Sequence, residues 1–251
     1  MEQHRRKRLR LLGILLMLAL AASACGSTPD SGSAAAEEVD GNVGNEPIAF
    51  AECASPPAGL VGWWTFDADA GPYLELINQT SGLDAVAAGS AGSVAGVVAG
   101  AVDTGSDSLT VDSGLGLGTG DFSIDAWVNP SEPDTIIASS RQSSLDDRGF
   151  LFMTFDSQLL LQLNAGPDHQ NMLSTGTLPL DEWSLVSVSV DRDGDTRFTI
   201  DGESVGVTST RTPEADVTTG TINIGYDDVN KVEGNIQVDE LEIFDLSLIH
   251  I

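Results

Sequence analysis

Few side chains in this sequence are of a type that does chemistry, and their spacing narrows the choice further. The histidines are His4, His169 and His250. His4 falls in a basic N-terminal stretch and His250 in the last two residues, which leaves His169, in what reads as a turn, Gly166-Pro-Asp-His-Gln-Asn171. A Ser–His–Asp arrangement needs a base held between nucleophile and orienting acid, and nothing in the spacing supplies one. Zinc ligation by several histidines is likewise unavailable. No catalytic residue is assigned. Asp191-Arg-Asp-Gly-Asp195 has the acids of a calcium loop, but its glycine comes too early for an EF-hand, and a tight turn is expected instead. Asp239 is of more interest. Alternation along Asn235–Phe244 places Asp239, Leu241 and Ile243 on one strand face. The Leu and Ile turn that face inward, where a carboxylate needs pairing, hydrogen bonds or a metal. Trp63, Trp64, Trp127 and Trp183 offer flat faces for sugar rings, with core packing as the alternative. Adjacent Trp63 and Trp64 must point to opposite sides of a strand, so at least one belongs to the core.

The elements that would position these residues read as strands. Short apolar or alternating runs bounded by Gly, Pro, Asp and Asn predict strands over 60–66, 108–112, 122–129, 135–139, 150–155 and 159–163. Five more follow over 183–191, 197–201, 203–208, 221–224 and 235–244. Asp201-Gly202 between Phe198-Thr-Ile200 and Ser204-Val205 signals a two-residue hairpin. No stretch carries an amphipathic helix with capping signals. Residues 85–102 are almost entirely Ala, Gly, Ser and Val, and their glycines argue against a helix; a loop with one weak strand crossing the fold is expected. Many short strands in one chain predict an all-β sandwich or jelly roll of two antiparallel sheets.

Charge adds a location and removes some partners. The chain has 251 residues, 38 acidic against 11 basic, a net charge of −27 and 41% hydrophobic residues. That apolar content suffices for a packed core, and the acidity excludes nucleic acid and anionic headgroups as partners of the folded part. Five of the eleven cations lie in the first ten residues, ahead of the apolar run Leu11–Leu20 and the small residues Ala22-Ser-Ala-Cys25. This is the anatomy of a signal peptide over residues 1–24. The tetrapeptide Ala22-Ser-Ala-Cys25 resembles a bacterial lipobox, which makes Cys25 the expected lipidation site and the membrane a partner through the lipid alone. Removing residues 1–24 leaves 6 Lys+Arg against 37 Asp+Glu, a mature charge of −31. Residues 25–52 read as a disordered acidic linker, and Cys53 is left without a disulfide partner.

Four blocks carry a resemblance. Cys53-Ala-Ser-Pro-Pro-Ala-Gly-Leu-Val-Gly-Trp-Trp-Thr-Phe-Asp67 and Leu117-Gly-Thr-Gly-Asp-Phe-Ser-Ile-Asp-Ala-Trp-Val-Asn-Pro130 come first. Asp181–Asp191 with Phe198–Glu203, and then Gly234-Asn-Ile-Gln-Val-Asp-Glu-Leu-Glu-Ile-Phe244, follow in order. Together they resemble the laminin-G-like, concanavalin-A-like jelly-roll modules of secreted bacterial proteins, over residues 53–245. The resemblance implies that first and last strands lie close, so that Asp67 and Asp239 can share a structural Ca²⁺ with backbone carbonyls; the alternative is that both merely cap loop amides. Glycosidases of related fold carry Glu-x-Asp-x-x-Glu on one strand, and the nearest match, Glu240-Leu-Glu-Ile-Phe-Asp245, departs from it at the middle and final acids. The implied function is a lipid-anchored extracytoplasmic module that binds a glycan or a surface protein. The alternatives are a structural or anchoring part of a longer enzyme or adhesin and, behind it, a glycoside hydrolase. Leu246-Ser-Leu-Ile-His-Ile251 breaks the pattern. One coding of it resembles a transposase mosaic end used in sequencing libraries, so adapter read-through is expected over residues 246–251, with a genuine apolar final strand as the alternative.

Overall fold

Alternation of apolar and polar residues sets the layers of this protein. The computed structural model describes residues 56–69, 71–73, 83–111, 115–166, 168–211, 216–217 and 220–250. The signal segment, Cys25, the linker and Cys53 lie outside them. The first strands are β1 (Leu60–Trp64), β2 (Val86–Ala87), β3 (Gly92–Ala95), β4 (Gly100–Asp103), β5 (Leu109–Val111) and β6 (Phe122–Pro130). Then come β7 (Thr135–Ser139), β8 (Gly149–Phe155), β9 (Gln158–Ala165), β10 (Asp168–Thr177), β11 (Ser184–Val190) and β12 (Asp195–Ile200). The chain continues through β13 (Glu203–Ser209), β14 (Ile222–Ile224), β15 (Tyr226–Asp227), β16 (Val232–Glu233) and β17 (Ile236–Phe244).

Two large antiparallel sheets result. One has eight strands, in the order β13-β12-β11-β6-β17-β4-β3 with β1 also paired to β17; the other has seven, β10-β9-β8-β7-β14-β5-β2. Every second residue of the long strands enters the shared core: Ile124, Ala126 and Val128 from one sheet, Phe150, Phe152, Leu159, Leu161 and Leu163 from the other. Trp64 is buried at 0% exposure. Its indole Nε1 donates to the Leu83 carbonyl at 2.7 Å, so the one polar atom it takes inside is satisfied. Asp201 and Gly202 turn the β12–β13 hairpin with φ of 51° and 77°, the left-handed pair such a turn requires.

Two segments differ from expectation. Residues 85–102 supply β2, β3 and most of β4 rather than one weak strand. His169 lies in β10, exposed and opposite Asn164, not in a turn. β10 is an edge strand in which only Met172 and Leu173 are large and apolar, so its sequence has no alternation to read.

A small hairpin, β15–β16, is pinned to the seven-stranded sheet by Arg141. Its Nε donates to Asp227 Oδ1 at 3.1 Å and its Nη2 to Oδ2 at 2.5 Å, while Nη1 donates to Gln162. Both partners are buried, with side-chain exposures of 4% and 0%. Removing one half of a buried pair strands the other charge, at a cost of about 3–5 kcal/mol. Asp227→Ala is therefore expected to lose that much in urea unfolding; a loss under about 1 kcal/mol would contradict the pair's dry environment.

Candidate functional site

The site is made by a register shift in β17. On one side β17 pairs with β6 along its length; on the other it changes partner, from β4 at Gln237 and Val238 to β1 at Leu241–Phe244. At the changeover an extra residue enters: Asp239 is opposite Trp127, and the next pair is Glu242 with Asp125. Glu240 absorbs the insertion at φ 50°, the mark of a β-bulge. Val238 and Leu241, an odd number of residues apart and so out of phase in an unbroken strand, thereby both reach the core. Asp239, Glu242, Trp127 and Asp125 all turn to the outer face. The expected grouping of Asp239 with Leu241 and Ile243 on one inward face is thus corrected, because it assumed an unbroken period of two. Asp239 is buried all the same, at 0% exposure, since the loop before β4 covers it.

That loop is held by carboxylates at both ends. Asp239 Oδ2 accepts from the backbone N–H groups of Val97 and Val98 at 2.7 and 2.9 Å. Asp67, exposed in the segment that follows β1, accepts from Gly100 N at 2.9 Å. Two glycines permit the approach. A Cβ on Gly96 would come within 2.6 Å of Asp239 Oδ2, and one on Gly100 within 2.9 Å of the Asp67 Cα. The structure therefore brings Asp67 and Asp239 to one loop, and each caps backbone amides there. Asp239 Oδ1 remains buried without a hydrogen-bond partner. Among the described residues no three His, Cys, Asp or Glu side chains converge as a metal site, so a cation here would need main-chain oxygens as well.

The same outer face carries two partly buried tryptophans and three further acids. Trp63 lies opposite Glu242 across the β1–β17 ladder, and its Nε1 donates to Glu240 Oε2 at 2.6 Å. Trp127 sits between Asp239 and Leu185. An amide relay continues the surface: Asn129 Nδ2 donates to Gln237 Oε1 at 3.0 Å, and Gln237 Nε2 to Asp103 Oδ2 at 3.1 Å. Burial raises the acids. Glu242 is pushed up to about 8 by desolvation and then by the Asp125 and Glu240 charges. Glu240 rises to about 7, through desolvation and its acidic neighbours, against the pull of the Trp63 hydrogen bond. Asp239 and Asp125 both rise to about 6, each chiefly through desolvation.

Sequence reasoning singled out Asp67, Asp239 and the tryptophans but missed the Asp125–Glu242 opposition. The signal was present in the outward positions of β6, Ser123, Asp125, Trp127 and Asn129, which the core positions Ile124, Ala126 and Val128 define. Asp191–Asp195 forms the expected tight turn, with Asp193 N donating to Asp191 Oδ1 at 3.0 Å.

The architecture and this face define a class: a two-sheet jelly roll of lectin type. The family Laminin_G_3, of the concanavalin A-like lectin/glucanases superfamily, matches residues 103–249, more than half of the chain, and the chain belongs to it. A comparison with curated proteins finds no match. Among solved structures, the binding domain of Paraclostridial Mosquitocidal Protein 1 is similar with a TM-score of 0.60 at 16% identity, over 76% of this chain and 49% of that one. A botulinum neurotoxin type C structure, titled for cell entry dependent on two ganglioside molecules, gives 0.58 at 14% identity, over 76% and 48%. This chain thus spans about half the length of either toxin chain. Domain 4 of AbnA, a GH43 extracellular arabinanase from Geobacillus stearothermophilus solved with arabinotriose, gives 0.58 at 17% identity, over 76% of this chain and 94% of that domain. Such identities establish a shared fold.

The acid pair makes stability depend on pH. Glu242 and Asp125 titrate at about 8 and 6 when folded, against roughly 4.3 and 3.9 in an unfolded chain. The folded state keeps protons that the unfolded state has released. Their contribution is therefore fully present below about pH 4 and is lost as pH rises, until it levels above about pH 8. Glu242→Gln is expected to make that decline shallower and to raise the melting midpoint at pH 8, with little change at pH 4. Parallel pH profiles for the variant and the parent protein would contradict the assignment.

Proposed function

We propose that this protein is a non-catalytic glycan-binding module, lipid-anchored at Cys25 and held outside the cytoplasm, with the outer face of the eight-stranded sheet as its ligand surface. The observation that carries this reading is Trp63, which the alternation of β1 leaves on the outer face opposite Glu242 while Trp64 takes the core position. Trp63's Nε1 is committed to Glu240, so the indole is fixed in orientation and pays little entropy on stacking against a sugar. The acids and amides around it supply hydrogen-bond partners for hydroxyls. A related domain solved with arabinotriose supports a saccharide ligand; a surface glycoprotein would present the same chemistry.

Calcium belongs to the same proposal as a structural ion. Asp67 and Asp239 would hold it with neighbouring main-chain oxygens, its hard positive charge answering the orphaned Asp239 Oδ1. Bound there, it would fix the loop over β17 and so the edge of the ligand face.

Two outcomes are expected. On an array of oligosaccharides the full chain binds, and Trp63→Ala, checked by circular dichroism to be folded, lowers affinity at least about tenfold, a loss of about 1.4 kcal/mol; binding unaffected by Trp63→Ala would contradict the assigned face. Calcium at about 100 times its Kd raises stability by about 2.7 kcal/mol, and Asp239→Asn abolishes the gain. A midpoint indifferent to calcium and chelator would refute the ion.

A further inference from the structure

The carboxyl pair at the centre of this face has no counter-charge. Glu242 of β17 and Asp125 of β6 are direct cross-strand partners on the outer side of the sheet, a spacing at which like charges repel. The side-chain charges that act on Glu242 are Asp125 and Glu240, both acidic. Asp125 has one hydrogen bond from Ser187, and its Oδ1 is closed to solvent without a partner. The fully buried Asp239, beside Trp127 on the same face, has an orphaned Oδ1 as well. The ion pairs Arg141–Asp227 and Lys231–Asp228 belong to the opposite sheet and its hairpin. Arg197, on β12, stands two strands from β6 and is not among the charges acting on either acid.

Beside this pair lie the two indoles. Trp63 faces Glu242 across β1–β17, and Trp127 follows Asp125 by two residues on β6. The Trp63 N–H is taken by Glu240, so what it offers a ligand is its π face, which favours a cation or the C–H face of a sugar. A neutral sugar would leave the two acids opposed, and an anionic one would add a third negative charge. A saccharide bearing an ammonium group answers the carboxyls and the indoles together.

We propose that the ligand of this face is a cationic amino sugar, a glucosamine-type oligosaccharide whose ammonium group sits at the Glu242–Asp125 pair while its ring packs against Trp63. This inference rests on the glycan-binding reading above and narrows it to a ligand class. An ammonium group would supply the positive charge that the opposed carboxyls of Glu242 and Asp125 lack, so charge complementarity adds to the ring contact. The ring contact supplies the specificity that separates a sugar from any other polycation.

The test uses the full chain and three hexasaccharides of matched backbone: a glucosamine hexamer, its N-acetylated form and a glucose hexamer, read by calorimetry at moderate salt. The glucosamine hexamer is expected to bind at least about tenfold tighter than the other two. The double variant Asp125→Asn/Glu242→Gln, which removes repulsion and so keeps its fold, should lose that preference. It should retain any binding of the neutral hexamers. A control variant, Asp146→Asn/Asp147→Asn, leaves the preference intact. Equal affinities for the three hexamers, all lowered by Trp63→Ala, would overturn the ligand class while the glycan-binding reading stands. Binding of none of them would overturn both. Equal capture of a lysine hexamer, or a preference that survives the double variant, would show general attraction to an acidic surface and overturn the proposal.

Discussion

The β-bulge at Asp239–Glu240 is the constraint on which the rest of the site depends. A ladder without it would continue Asp239 in phase with Leu241, and one of them would have to bury a carboxylate in the core or expose a leucine. The extra residue lets Val238 and Leu241 both pack inward and delivers Asp239 and Glu242 to the opposite face. It sits where β17 exchanges β4 for β1 as its neighbour, the one place along the strand where a ladder partner is missing. The gap is filled by the 96–100 loop, whose amides take up the Asp239 and Asp67 carboxylates. A left-handed φ at a glutamate costs free energy, and such strain collects at functional sites because the surrounding structure over-determines it.

The consequence is a face on which acids are crowded and partly dried, beside Trp127 and a Trp63 indole held by Glu240. Nothing about folding calls for this arrangement. Opposed Asp and Glu side chains on neighbouring strands weaken a sheet, and Asp125, Asp239, Glu240 and Glu242 are all raised above their ordinary range by burial. The buried Arg141, by contrast, is matched closely by Asp227 and Gln162. Opposed acids left without a counter-charge on one surface are the pattern expected where a ligand supplies the missing partner.

Much of the fold was legible because its strands are strongly periodic. β6, β11, β12 and β17 announce themselves through alternating Val, Ile, Leu and Phe, and Asp201-Gly202 announces a hairpin. β10 did not, because an edge strand with Asn, Gln, Ser and Thr at most positions has no apolar face to count. The short β2, β3 and β4 were obscured by Ala and Gly, residues small enough to suit loop and strand alike. At the site, Asp239 was found through the cost of burying its charge, although the face deduced for it was wrong, since a bulge is invisible to a period-two argument. Asp125 and Glu242 escaped notice for a different reason: each is an ordinary outward acid on its own strand, and only the register of β6 against β17 sets one against the other.

The central claim is that ligand meets the outer face of the eight-stranded sheet, and the four indole N–H signals of an ¹⁵N-labelled sample report on it directly. Titrated with an oligosaccharide that binds, the signals of Trp63 and Trp127 should shift together with the amides of Asp125 and Glu242, while Trp64, bonded to the Leu83 carbonyl in the core, stays in place. Shifts confined to the seven-stranded sheet, around Leu160 and Leu173, with Trp63 unmoved, would contradict it.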